Sequence, residues 1–342
     1  MPQKPTQIGW IPYLNLLPLR HEISRLSGGQ HNLVCGHPRS VNRWLAEGVV
    51  HLAPASSIAL FKSKQLEMAF PIGIACEGPV QSVYLGLSRQ HEAFYEMVCD
   101  RQLILRERSR EALSLYNDDM RQAAVAIWAA TKSERVAIKA PDLLLTSTSA
   151  ASAALTKVLI SLWLGADAAN LVFAKSAVSV PIESREVVSR SSDSQPMELV
   201  IGDEALQRRH EFWKVLDLGQ IWFELTGLPF VFALWQTNSA PHAAGLKYLI
   251  TEAATIAQAR MNIEPQDYYP EILPVAGDGK KIDLAGYWKV IQYKMSQRHL
   301  LSLLLYYSLY QQTSGSESDD VDVERFVRWN KTWIGVDSVA HK

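Results

Sequence analysis

Cysteine is scarce in this chain, and it follows no pattern. Cys35, Cys76 and Cys99 are far apart and form neither a CxxC nor a His-paired spacing. That excludes a disulfide framework or a zinc site as the organising device, and it fits a reducing compartment. Charge of one sign is also lacking. The formal net charge is -1 and no Lys/Arg block stands out, which argues against nucleic acid or an anionic membrane as the main partner. No apolar run approaches the roughly 18 residues of a membrane span. The opening stretch MPQKPTQIGW has no apolar segment of the kind a secretory signal needs, so a cytoplasmic protein is expected. The motifs GxGxxG, GxSxG, HExxH and the P-loop are all missing. The nine histidines are scattered without metal spacing. Neither a metal nor a cofactor is therefore expected.

What is present is a large apolar reserve. At 342 residues and 48% hydrophobic composition, the chain is long enough for two lobes, each with its own core. TQIGWIPYL reads as a buried strand. PLRHEISRLSG reads as a helix stopped at Gly28 and Gly29. HNLVCGHP is a short strand, and a helix framed by Ser40 and Gly48 follows. VVHLAPASSIALF is a strand ending at Pro54 that opens a helix near Ser56 and Ser57. EMAFPIGIACEGPVQSVYLGLS holds two strands around a Glu-Gly-Pro turn. Strands alternating with helices imply an α/β fold with mainly parallel sheet. Residues 89–133 break the pattern: charged, free of Gly and Pro, with apolar residues at helical spacing, they predict a helical insert. Helices are also expected from Ala240 to Ala259 and from Ser296 to Tyr310. Residues 313–342 read as a polar, acidic linker followed by a possible C-terminal helix, VERFVRWNKTWIG. One internal echo stands out. VVHLAPASSIALF and MELVIGDEALQRR each run strand, small-residue turn, helix, as matching positions in two similar lobes would.

The candidate site is a set of polar turns at strand ends: Tyr13-Leu14-Asn15, Pro54 to Ser57, Gly78-Pro79-Val80-Gln81-Ser82, Ser147-Thr148-Ser149 with Ser152, and Gly202-Asp203. In open α/β sheets, ligands lie outside the carboxyl ends of strands. Serine hydroxyls and free helix N-terminal N–H groups there hold a carboxylate without a formal positive charge. Taken singly, each turn is equally an N-cap. Several together point to a shared cleft.

Five of these blocks occur in a specific order: IGWIPYLNLLPL, VNRWLAEGVVHLAPASSIAL, GIACEGPVQSV, IGDEAL and DLGQIWFELTGLPFVFALW. A looser block, IQYKMSQRHLLSLLLYYSLY, follows. Together they cover most of residues 7–88 and 146–312, and the chain resembles the chorismate dehydratase family of the futalosine route to menaquinone. The related naphthoate synthase family has a different N-terminal motif and fits less well. The resemblance implies a two-lobed clamshell of the type II periplasmic-binding-protein class, crossed twice, near VQSVYLGLSR and LPFVFALWQ. Lobe one is then expected at 1–86 and 232–312, and lobe two at 87–231, carrying the insert. The implied reaction removes water from chorismate to give 3-[(1-carboxyvinyl)oxy]benzoate, without metal or cofactor. In this reading Asn15 and Ser82 are catalytic: Asn15 donates to the departing hydroxyl, and Ser82 contacts the substrate or orients the base. Tyr13, Ser56, Ser57, Gly78, Pro79, Val80, Ser149, Ser152, Gly202 and Asp203 bind the substrate. The resemblance suggests the substrate's own enolpyruvyl carboxylate as base, with Asp203 as the protein alternative.

The chain departs from the family pattern at Trp10, Gln81, Ala150 and Ala151, positions where basic residues or Thr are frequent in the family. Arg43 is kept in VNR. The rival expectation is a non-catalytic cytoplasmic binder of a small carboxylate. Two separated anion sites in the cleft favour the dehydratase, and an apolar cleft with one anion site favours the binder.

Overall fold

The computed structural model describes residues 6–29, 32–117, 119–132, 141–145, 149–165, 173–175 and 195–314. Ser147, Thr148 and the chain beyond Ser314, including the expected linker and C-terminal helix, lie outside the described residues.

In chain order the first elements are β1 (Gln7–Trp10), α1 (Leu17–Ser27), β2 (Asn32–Cys35), α2 (Pro38–Ala46), β3 (Leu52–Ser56), α3 (Ser57–Lys62) and β4 (Glu67–Cys76). Next come β5 (Val83–Leu87), α4 (Glu92–Tyr116), α5 (Met120–Lys132), β6 (Leu143–Leu145), α6 (Ala150–Leu164), β7 (Phe173–Lys175), β8 (Met197–Ile201), α7 (Asp203–Arg208) and β9 (Lys214–Asp217). The chain then runs through α8 (Leu218–Thr226), β10 (Phe230–Thr237), α9 (Ala240–Ile263), α10 (Leu284–Lys289), β11 (Gln292–Lys294) and α11 (Gln297–Ser314). The local signals explain most ends. Gly28 stops α1 at φ 60, where only a residue without a Cβ is comfortable. Pro38, rather than a cap at Ser40, opens α2. Pro54 does not end β3, which continues to Ser56.

Two sheets form. One has six strands in the order β11-β4-β10-β3-β1-β2, the other five in the order β7-β6-β8-β5-β9. The sheets are mixed rather than mainly parallel. β1 pairs in parallel with β2 and β3, and β6 with β7 and β8. β10 runs antiparallel between β3 and β4, and β5 antiparallel between β8 and β9. The reason lies in how those two strands arrive. Each comes from the other sheet, through residues 77–82 or 218–229, so no βαβ crossover imposes a parallel direction. The crossings thus fall a few residues from the expected 86/87 and 231/232 divisions, because β5 lies wholly in the second sheet and β10 starts in the first at Phe230. The internal echo has a structural counterpart. β3 with α3, and β8 with α7, each sit beside the antiparallel newcomer strand of their own sheet.

The insert is helical, as α4 and α5. α4 packs on α8 and α6, and α5 packs on α4 and α11. α11 also touches α6, α3 and β10, so this last of the described helices joins the helical layers of both sheets. A second motif marks these long helices. In both Ser88-Arg89-Gln90-His91 and Ser296-Gln297-Arg298-His299 the His Nδ1 accepts the Ser backbone N–H, at 3.1 Å in each case, and at Ser88 the serine side chain accepts the His91 N–H in return. Beneath the layers lie Trp10, Trp163, Trp222, Trp235 and Trp288, all essentially inaccessible. Burying a large apolar side chain contributes about 1.5–3 kcal/mol. Trp10 belongs here, tilted against Trp235 at 6.1 Å, so it is core and not cleft.

Candidate functional site

A cavity of about 560 Å³, its mouth included, lies between the two sheets. Ile11, Tyr13, Asn15, Pro38, Ser56, Ile74, Phe232 and Ala233 line it from the six-stranded side, and Val80, Ser82, Val83, Ser149, Ser152, Ile201 and Gly202 from the other.

The first wall is made where β1 ends. The chain turns through one 3-10 turn at Leu14–Leu16 before α1. Backbone groups hold that turn. The Leu14 carbonyl accepts from Trp288 Nε1 at 2.8 Å, the Asn15 carbonyl accepts from the Tyr293 hydroxyl at 2.7 Å, and the Leu14 N–H donates to Asp203 Oδ1 at 3.0 Å. The Asn15 side chain is therefore not used to build the turn. Its Oδ1 is buried without a hydrogen-bond partner, as is the Ser56 hydroxyl beside the same cavity. Burying such a group unpaired costs about 1–3 kcal/mol, so both positions suit a ligand that supplies the missing partners. Ser56 is itself held by Asn42 of the VNR block, whose Oδ1 accepts the Ser56 N–H at 3.0 Å.

The second wall is joined to the first by Tyr287 of α10. Its hydroxyl donates to Ser82 Oγ at 2.9 Å, and the Asn15 side chain lies close enough to the same phenol to favour its ionised form slightly. Burial pushes this phenol well above its ordinary range, so it stays protonated and remains a donor. Because Tyr287 fills an acceptor position on Ser82 Oγ, the serine's own proton is available for the cavity. Further along the wall, α6 presents its N-terminus. Ser149 is the N-cap, accepting the Ser152 N–H, and the two hydroxyls lie 3.1 Å apart. At 15 residues, α6 has a dipole that favours an anion there.

Eight expected residues meet at this cavity: Tyr13, Asn15, Ser56, Val80, Ser82, Ser149, Ser152 and Gly202. Four do not line it. Ser57 is fully buried as the first residue of α3. Gly78 supplies a turn at φ 100, and its carbonyl accepts the Cys76 thiol. Pro79 is exposed. Asp203 turns its carboxylate to the Leu14 N–H. Burial raises its pKa, while that bond pulls it down. Arg43 is also away from the site, exposed on α2 and 3.9 Å from Glu47. Ala150 and Ala151 open α6, the Ala151 carbonyl accepting from the Tyr306 hydroxyl. No charged side chain lines the cavity among the described residues. Asn42 and Tyr287 were not anticipated. Asn42 lies inside a quoted motif, but the LAGYWKV context of Tyr287 carries no polar pattern that marks a site.

Solved structures share the architecture. A gene product of Candida albicans, CA3427, described as having the generic periplasmic binding protein fold, matches over 99% of this chain and 100% of its own, with TM-score 0.54 and 9% identity. A protein from Bordetella bronchiseptica RB50 matches over 95% of this chain and 96% of its own, with TM-score 0.52 and 11% identity. At such identities the likeness concerns the fold, which is the two-lobed periplasmic-binding-protein clamshell. No curated protein matches the chain in sequence. The family model described as menaquinone biosynthesis matches residues 6–117 and 121–312. The chain, with its ordered motifs and its small-molecule cleft, belongs to that menaquinone biosynthesis family.

Proposed function

We propose that the protein is a chorismate dehydratase, eliminating water from chorismate without metal or cofactor. The observation that carries this reading is the buried, unmatched Asn15 amide oxygen in the same cavity as Ser82, whose Oγ is held by the Tyr287 hydroxyl. A hydroxylated carboxylate fits these groups. The departing hydroxyl's oxygen accepts from an Asn15 amide N–H and the Ser82 hydroxyl, and its own O–H lies toward Asn15 Oδ1. A carboxylate lies at the α6 N-terminus against Ser149 and Ser152. Asp203 is committed to Leu14, so the substrate's enolpyruvyl carboxylate takes the ring proton. The C–O electrons leave with the hydroxyl, which takes that proton on from the carboxyl group to depart as water, and the ring becomes aromatic. The protein supplies alignment and donors where negative charge grows.

A second reading has an observation of its own. The described lining carries no charged side chain and one helix N-terminus, the arrangement expected of a binder of a monoanionic carboxylate. Incubation with chorismate separates the two. Appearance of the aromatic product with loss of one water by mass supports the dehydratase. Saturable chorismate binding by calorimetry, with chorismate recovered intact, overturns it in favour of the binder.

A further inference from the structure

We propose that Asp217 is a positioning residue for the Ser82 wall, acting by holding Gln81 in a left-handed backbone conformation. The proposal rests on the dehydratase reading for its kinetic arm only. Asp217 ends β9 and caps α8. Its Oδ1 accepts the N–H groups of Gly219 and Gln220, both at 3.1 Å. A cap needs no more than this. Yet the same carboxylate reaches the other crossing segment. Oδ1 also accepts the Val80 N–H at 3.0 Å, and Oδ2 accepts the Gln81 N–H at 2.7 Å, the shortest of the four. One buried side chain thus ties together the two segments through which the chain passes between sheets.

Gln81 is where this matters. Its φ is 66, a region unfavourable to a residue with a Cβ, and Asn117 is the only other such non-glycine among the described residues. Gln81 has no helix end to explain it. Its neighbours Val80 and Ser82 both face the cavity, and Ser82 leads directly into β5. A charge-assisted bond to Oδ2 is what holds the turn in place. Gly219 allows the approach. A Cβ there would sit 2.6 Å from Cys76 Sγ and 2.8 Å from the Gly78 carbonyl oxygen, so α8 abuts the first crossing as closely as backbone permits.

Asp217→Asn isolates the effect. An asparagine oxygen in the Oδ1 position keeps the α8 cap, since Asn caps as well as Asp. Its NH₂ then faces the Gln81 N–H, donor against donor. The expected results are a melting temperature close to wild type, exchange of the Gln81 amide about tenfold faster or more, and kcat for chorismate lower by about tenfold with little change in KM. Asp217→Asn combined with Gln81→Gly recovers turnover, because glycine takes the left-handed region unaided. If Asp217→Asn does not fold, Asp217→Ser, a shorter cap with one oxygen, is read in the same way. Unchanged exchange at Gln81, or faster exchange with unchanged kcat, overturns the proposal. If wild type binds chorismate without turnover, the dehydratase reading falls. Faster exchange with weakened binding then still supports the role of Asp217, and unchanged exchange or unchanged binding overturns it.

Discussion

Asn15→Leu puts the proposed chemistry at greatest risk, because its effects on stability and on rate are expected to part company. The 3-10 turn is held by the Leu14 N–H, the Leu14 carbonyl and the Asn15 carbonyl, all of which a leucine retains. The substitution removes the side-chain contact to Tyr287, worth about 0.5–1.5 kcal/mol. It also removes an amide oxygen that is already buried and unpaired, a liability of about 1–3 kcal/mol. Tyr287 keeps its bond to Ser82. The two changes nearly cancel, so the melting temperature should move by no more than about 3 °C. The rate has no such compensation. Losing one group that stabilises the departing hydroxyl lowers kcat by about 10²–10³-fold. The assay is chorismate turnover followed by the aromatic product, beside thermal unfolding of both proteins. Equal turnover by wild type and Asn15→Leu would falsify the role assigned to Asn15. A large stability loss with little kinetic effect would show that Asn15 is structural.

Three further outcomes are expected. Tyr287→Phe keeps the ring but frees Ser82 Oγ, so kcat should fall about tenfold with KM nearly constant; an unchanged kcat removes Tyr287 from the argument. Gly202→Ala should cost about 1–2 kcal/mol of stability and weaken ligand binding, because Gly202 sits at φ 71 and a Cβ would meet the Tyr13 ring at 2.9 Å; denaturant unfolding and ligand titration read both. His299 is buried and neutral, donating from Nε2 to Gln292, and burial lowers its pKa from 6.5 to about 4. The unfolded chain therefore takes up this proton first, and stability should decline as pH falls from 6.5 toward 4, by at most about 3 kcal/mol from this group. His299→Gln keeps a side-chain acceptor for the Ser296 N–H without titrating. It should flatten that part of the stability profile, and equal slopes for the two proteins would count against the assignment.

Much of the fold was legible because it rests on local patterns. Gly28 stopped its helix, the Gly-free and Pro-free stretch after residue 89 became α4 and α5, and the Glu-Gly-Pro turn separated β4 from β5. The direction of strands was not legible. Nothing in SVYLGL or LPFVFALW tells whether a buried apolar strand runs with or against its neighbours, since both faces are covered either way. That information lies in which sheet the preceding segment left, a long-range fact. The Ser-x-x-His caps at Ser88 and Ser296 were in plain view, but a histidine in the fourth position is less familiar than the Glu or Gln that usually closes the box.

Residues expected at the strand ends meet at the cavity, whereas other polar residues of the same turns serve backbone. Ser57, Gly78 and Asp203 belong to the same turns as residues that do line the cavity, and the distinction is made by which neighbour's N–H or carbonyl each one meets. Asp203 and Asp217 illustrate this. Both open a helix after a β-strand of the second sheet, and both bond across to the chain on the cavity's rim, one to Leu14 and the other to Val80 and Gln81. Asp217 accepts four amide N–H groups, and Asp203 accepts one. With Asp217 engaged in this way and no charged side chain lining the cavity among the described residues, the proposed elimination takes its base from the ligand. That is why the substrate-assisted elimination and the ligand-only binding reading call for the same cavity, and why product formation, rather than affinity, is the measurement that separates them.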